Sequence, residues 1–134
     1  MTVPGGDAPA PEPHRRPTAS SGPPRLIAYG TLRPGGANHH IVAAFEGVWR
    51  HGHVRGDYSP VGWGLTYGYP ALIPREDGPS VEADLFESAE LVDLWRELDA
   101  FEGPAYARVT IPFYCDTGEV LDGQAYVARE RPGT

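Results

Sequence analysis

A chain of 134 residues with one cysteine and a formal net charge of −7 is sized for a single domain that buries roughly two-thirds of its unfolded surface without staples. One thiol excludes an internal disulfide and, by itself, a structural zinc site, while the acidic balance opposes a polyanionic partner such as nucleic acid. No run approaches the roughly 20 apolar residues of a membrane span, and residues 1–20 hold no continuous apolar stretch of the kind a secretory leader needs, so the expectation is a cytoplasmic protein with no membrane partner.

Residues 1–24 hold seven of the fifteen prolines and three glycines, with almost no large apolar side chain. Such a segment cannot offset its ordering entropy by burial, and it is expected to be a disordered tail. Its charges cancel (Asp7 and Glu12 against Arg15 and Arg16), so the acidic excess belongs to a domain at 25–134.

From Arg25 the texture changes. "RLIAYG" reads as a strand and "RPGG" as a turn. Asn38 is placed to cap a short helix over "HHIVAAFEG" that Gly47 stops. The next segment, "VWRHGHVRGDYSPVGWGLTYGYPALIP", is rich in β-branched and aromatic residues but broken by glycine and proline, which predicts two or three bent strands. "REDGPS" is a turn, and "VEADLF" alternates as a half-buried strand does. Ser88 is placed to cap the helix "AELVDLWRELDAF", whose apolar stripe comprises Leu91, Leu94, Trp95, Leu98 and Phe101. "YARVTIPFYC" is a long strand, "DTGEVLDG" a hairpin connection and "QAYVA" the closing strand. Short strands with glycine bends and two helices predict an α+β domain, a small curled or closed mixed sheet with helices packed on it.

Three places invite chemistry. At Tyr29-Gly30-Thr31-Leu32 a core strand runs into a turn. Glycine there permits unusual backbone and close approach, and successive N–H groups in such a turn form a cup for an anion. An ordinary strand exit is the competing reading. Glu102 falls at the end of the second helix, where the dipole disfavours its charge. In apolar surroundings its pKa would rise further, as a general base near neutral pH requires, whereas a solvated loop glutamate is the alternative. Tyr106 and Arg108 alternate along the following strand and so share a face. The five histidines lack carboxylate or thiolate companions at ligand spacing, and Cys115 lacks an activating neighbour, so neither a metal nor a covalent nucleophile is expected.

Taken in order, "YGTLRPGGANHH", "GYPALIP", "VEADLF", "LDAFEGPAYARV" and "QAYVA" resemble the γ-glutamyl cyclotransferase-like (AIG2-like) family over residues 26–128. The resemblance implies a small β-barrel-like mixed sheet flanked by helices. It also implies a pocket where Tyr29, Gly30, Thr31 and Leu32 hold a small-molecule γ-glutamyl substrate, Glu102 is the acid–base residue, Tyr106 joins the binding wall, and no cofactor takes part. The activity so implied is release of 5-oxoproline and an amine from a γ-glutamyl amine, amino acid or peptide. Family members often carry glycine where this chain has Ala83, a change that is either tolerated or narrows the pocket. Two other readings share the fold: a non-catalytic small-molecule-binding or regulatory module, and an enzyme removing a γ-glutamyl protecting group.

Overall fold

The computed structural model describes residues 23–129, so the expected tail lies outside the described residues except for Pro23 and Pro24. Six strands and two helices follow in the order β1 (Arg25–Ala28), α1 (His40–Ala43), β2 (Val48–Ser59), β3 (Ala71–Pro74), β4 (Ser80–Glu87), α2 (Leu91–Glu102), β5 (Tyr106–Cys115) and β6 (Val120–Ala128). The hydrogen-bonded order is β3-β2-β4-β1-β6-β5, and β5 returns to β2 through Gly52↔Cys115 and His53↔Tyr114. Five strands therefore close into a barrel, with β3 attached along the far end of β2. β1 is antiparallel to β4 and parallel to β6, which makes the sheet mixed.

Closure depends on β2. Its first two-thirds pair with β4 from Val48 to Arg55, and its last residues pair with β3 from Gly56 to Ser59. At Gly52 the backbones of β2 and β5 come so close that a β-carbon would lie 2.1 Å from the carbonyl oxygen of Tyr114. Only glycine fits such an approach.

The core has two layers. Inside the barrel lie Ile27, Val54, Leu72, Leu85 and Phe113, among others. Between the barrel and α2 lie Leu26, Phe86, Leu91, Leu94, Leu98 and Tyr126. β1 and β4 are sandwiched by both layers. The alternation expected over "VEADLF" accordingly stops after Ala83, and Asp84, Leu85 and Phe86 are all buried. Ala83 sits inside the barrel opposite Gly52, so it does not narrow a surface pocket.

Several local expectations need correction. α1 is a single turn ending at Ala43, not a helix reaching Gly47. Asn38 does not cap it, because its backbone N–H bonds to the Thr31 carbonyl (2.9 Å) and its side-chain amide to the Thr31 hydroxyl (3.0 Å). Ser88 stands one turn ahead of α2: its hydroxyl accepts from the Glu90 N–H (3.1 Å) and donates to the Glu46 carbonyl, holding the entry to the helix. Phe101 leaves the buried stripe and is 46% exposed. The β5–β6 connection is only the turn at 116–119, since β6 takes over from Val120.

Candidate active site

β1 leads directly into a buried aromatic, Tyr29. The Tyr29 hydroxyl donates to the Tyr126 carbonyl, and burial pushes its phenol well above the usual range. With that ring committed inward, the chain leaves the sheet at Gly30 and folds back on itself. The carbonyls of Gly30 and Thr31 accept from Arg33 (3.2 Å) and Asn38 (2.9 Å), and that of Leu32 meets Nδ1 of His39 at 2.9 Å. Among the described residues, no turn or loop hydrogen bond consumes the N–H of Gly30, Thr31 or Leu32. A turn that spends its carbonyls and keeps its N–H groups presents positive dipole ends to an anion or a developing oxyanion.

Of the two reasons the sequence suggested for glycine at position 30, close approach holds and unusual backbone does not. Gly30 is not among the residues with a left-handed φ. Its constraint is space, because a β-carbon would press on the Pro70 ring at 3.2 Å.

Glu102 is the last residue of α2. Gly103, at φ 80°, breaks the helix in the left-handed region that glycine tolerates. Burial alone pushes the Glu102 carboxyl up to about 7, so both protonation states are populated near neutral pH. The final helical turn is fastened to the barrel one turn earlier. The Asp99 carboxylate accepts from the Tyr126 hydroxyl (2.7 Å) and from Nε of Arg108 (2.9 Å), and the Arg108 guanidinium lies 4.5 Å from the Trp95 ring centre. Arg108 is therefore a strut for the helix and lines a neighbouring surface cleft beside Asp99, not the cavity at Glu102. Tyr106 does face that cavity. Its hydroxyl donates to the Pro70 carbonyl (2.7 Å), and burial, then the nearby Glu102, pushes its phenol up to about 12.

One cavity of about 560 Å³ brings Tyr29, Gly30, Thr31, Leu32, Glu102 and Tyr106 together. Asn38, Tyr69, Pro70, Phe101 and Tyr126 also line it, and sequence reasoning gave none of them a place there. The signal was partly present: Asn38 and the Tyr69-Pro70 pair lie within the segments that carry the resemblance, and Phe101 adjoins Glu102. Elsewhere, His51 turns its two ring nitrogens to Asp116 (2.6 Å) and Glu82 (2.8 Å), an ion cluster on the outer barrel face. Among the described residues, no three His, Cys, Asp or Glu side chains are grouped to hold a metal ion. Cys115 is buried, which pushes its thiol up and away from the reactive thiolate. No helix among the described residues is long and apolar enough to cross a membrane.

Residues 26–134 match the family model described as gamma-glutamyl cyclotransferase, AIG2-like. A comparison with curated proteins finds no match. Among solved structures, an AIG2-like protein of Mus musculus superposes with a TM-score of 0.58 at 22% identity, covering 84% of this chain and 82% of that one. A protein of Arabidopsis thaliana superposes with a TM-score of 0.63 at 20% identity, covering 86% of this chain and 76% of that one. YkqA of Bacillus subtilis gives 0.61 at 21% identity over 80% of this chain, which spans only 36% of YkqA. At these identities the likeness is one of fold.

Proposed function

The chain belongs to the γ-glutamyl cyclotransferase, AIG2-like family, and from that premise we propose that it closes the γ-glutamyl group of a small-molecule substrate into 5-oxoproline and releases the attached amine. The observation that carries the reading is a carboxyl held near neutral pKa, Glu102, in one cavity with the turn at Gly30 to Leu32, whose N–H groups no turn or loop hydrogen bond among the described residues consumes.

The substrate supplies its own nucleophile. Its α-amine attacks its γ-carbonyl carbon, a C–N bond forms within a five-membered ring, and the amide C–N bond to the leaving amine breaks. Holding the two ends of one molecule in register is worth several kcal/mol on the scale of ordinary proximity effects. Glu102 as carboxylate takes a proton from the α-ammonium and as the acid returns it to the departing nitrogen, and the second proton that the ring nitrogen sheds on becoming a lactam leaves with the amine, which is released as its ammonium. The N–H groups of Gly30, Thr31 and Leu32 hold the substrate carboxylate or the oxyanion that forms on the carbonyl. Tyr29 and Tyr106 give the cavity rigid walls, each fixed by a hydroxyl bond to a backbone carbonyl. Protons and atoms balance without water, metal or a covalent enzyme intermediate.

Incubation with a panel of γ-glutamyl amines, amino acids and peptides, read by mass spectrometry, tests the reading. It expects 5-oxoproline in molar equivalence with free amine from at least one member. Tight binding across the panel with no 5-oxoproline would instead identify a binding module on the same fold.

A further inference from the structure

Glu102 is bordered by aromatic side chains that the fold leaves in solvent. Phe101, its neighbour on α2, is 46% exposed although the helix buries Leu91, Leu94 and Leu98, and Tyr69 is 64% exposed; both line the Glu102 cavity. Tyr69, Glu102 and Tyr106 line that cavity together. Nor is Tyr69 on a loose segment, because Pro70 beside it receives the Tyr106 hydroxyl and stands against Gly30. Two large rings kept partly in water beside a cavity leave apolar surface uncovered, an arrangement that suits a ligand packing on them.

The reaction chemistry says which part of the ligand that is. The leaving nitrogen takes its proton from Glu102, so its substituent lies next to that carboxyl and extends toward the open side of the cavity. The exposed side chains waiting there are Phe101 and Tyr69. Resting on the cyclotransferase reading, we propose that this protein selects γ-glutamyl amides whose leaving amine carries an aromatic substituent, with Tyr69 and Phe101 as the walls that determine this specificity. Flat rings gain contact area and edge or offset-stacked geometry against such walls. A carboxylate on the same substituent would have to shed water against two rings and approach the Glu102 carboxyl, which selects for simple amines over amino acids.

The test compares γ-L-glutamyl benzylamide with γ-L-glutamyl methylamide, which differ by one phenyl ring. In the unmodified protein, kcat/KM for 5-oxoproline release should favour the benzylamide by on the order of tenfold or more. Tyr69→Ala and Phe101→Ala should each collapse that ratio toward one, whereas a merely structural loss would lower both substrates together and leave it standing. Should Phe101→Ala fail to fold, Phe101→Leu and the loop variant Tyr69→Ala carry the comparison. Equal constants for the two amides in the unmodified protein, or a preference that survives both substitutions, overturns the proposal. If neither amide yields 5-oxoproline while another member of the γ-glutamyl panel does, the proposal is overturned and the cyclotransferase reading stands; if no member does, that reading fails, and calorimetric Kd values for the same pair judge the walls separately. Tighter benzylamide binding that Tyr69→Ala abolishes supports them, and equal binding overturns them.

Discussion

On the proposed reading, Glu102 is a single residue that trades stability for chemistry. Its carboxyl ionises near 4.5 in an unfolded chain and near 7 in the folded one. Between those values the folded state holds the proton and the unfolded state does not, so stability falls as pH rises through the window. The protein keeps its full stability below the lower value and has lost this contribution above the upper one. Replacing the carboxyl with an amide removes the dependence. Glu102→Gln is therefore expected to melt higher than the unmodified chain at pH 8, by on the order of 2 kcal/mol, and to converge with it near pH 4. Paired thermal melts across that range check the sign. A smaller effect is expected at Asn38, whose amide holds the Thr31 hydroxyl at 3.0 Å. Asn38→Ala should cost about 1 kcal/mol in urea unfolding and raise KM for a γ-glutamyl substrate.

The barrel seam is the most demanding feature among the elements. A β-carbon at Gly52 would meet the Tyr114 carbonyl at 2.1 Å, so Gly52→Ala has to separate β2 from β5 or shift them in register. A loss of about 2 kcal/mol or more is expected from denaturant unfolding. Gly118→Ala, in an open turn with φ +101°, should cost nearer 1 kcal/mol, so the contrast isolates crowding from backbone conformation. The same seam explains what could and could not be read from the sequence. The strands over "YARVTIPFYC" and "RLIA" and the helix ending at Glu102 follow from local pattern, because propensity, turn residues and apolar spacing agree there. The contact between Gly52 and Cys115 spans the barrel and leaves no local trace. Asn38 and Ser88 were expected as caps because both residue types favour that position, yet other partners claimed them: Thr31 for the Asn38 amide, and the Glu46 carbonyl with the Glu90 N–H for the Ser88 hydroxyl. Phe101 fits the helical stripe by spacing. Only the location of the cavity reveals that its ring faces water.

At the scale of the whole molecule, two apolar layers share β1 and β4, and the cavity opens where β1 leaves the sandwich and α2 ends beside it. The turn and the carboxylate are thus brought together by topology, from positions some seventy residues apart, through the pairing of β1 with β4 and β6. We propose, from its composition, that the proline-rich segment up to residue 22 adds nothing to that architecture. The Pro24 carbonyl does contribute, accepting from the Ser88 N–H at 3.1 Å at the entry to α2. A chain lacking residues 1–22 is accordingly expected to keep its melting temperature and its turnover, whereas one that also lacks Pro23 and Pro24 should melt lower. Differential scanning calorimetry of the two truncations distinguishes them.

The central claim is that Glu102 moves the proton in a ring closure that the turn at Gly30 to Leu32 supports. Its most direct test is Glu102→Gln, assayed for 5-oxoproline release and titrated with the same γ-glutamyl substrate in a calorimeter. Turnover should fall by ~10²–10⁴-fold, the usual cost of a lost acid–base group, while binding persists because the cradle is untouched. Near-normal 5-oxoproline release from a folded Glu102→Gln protein would contradict the claim.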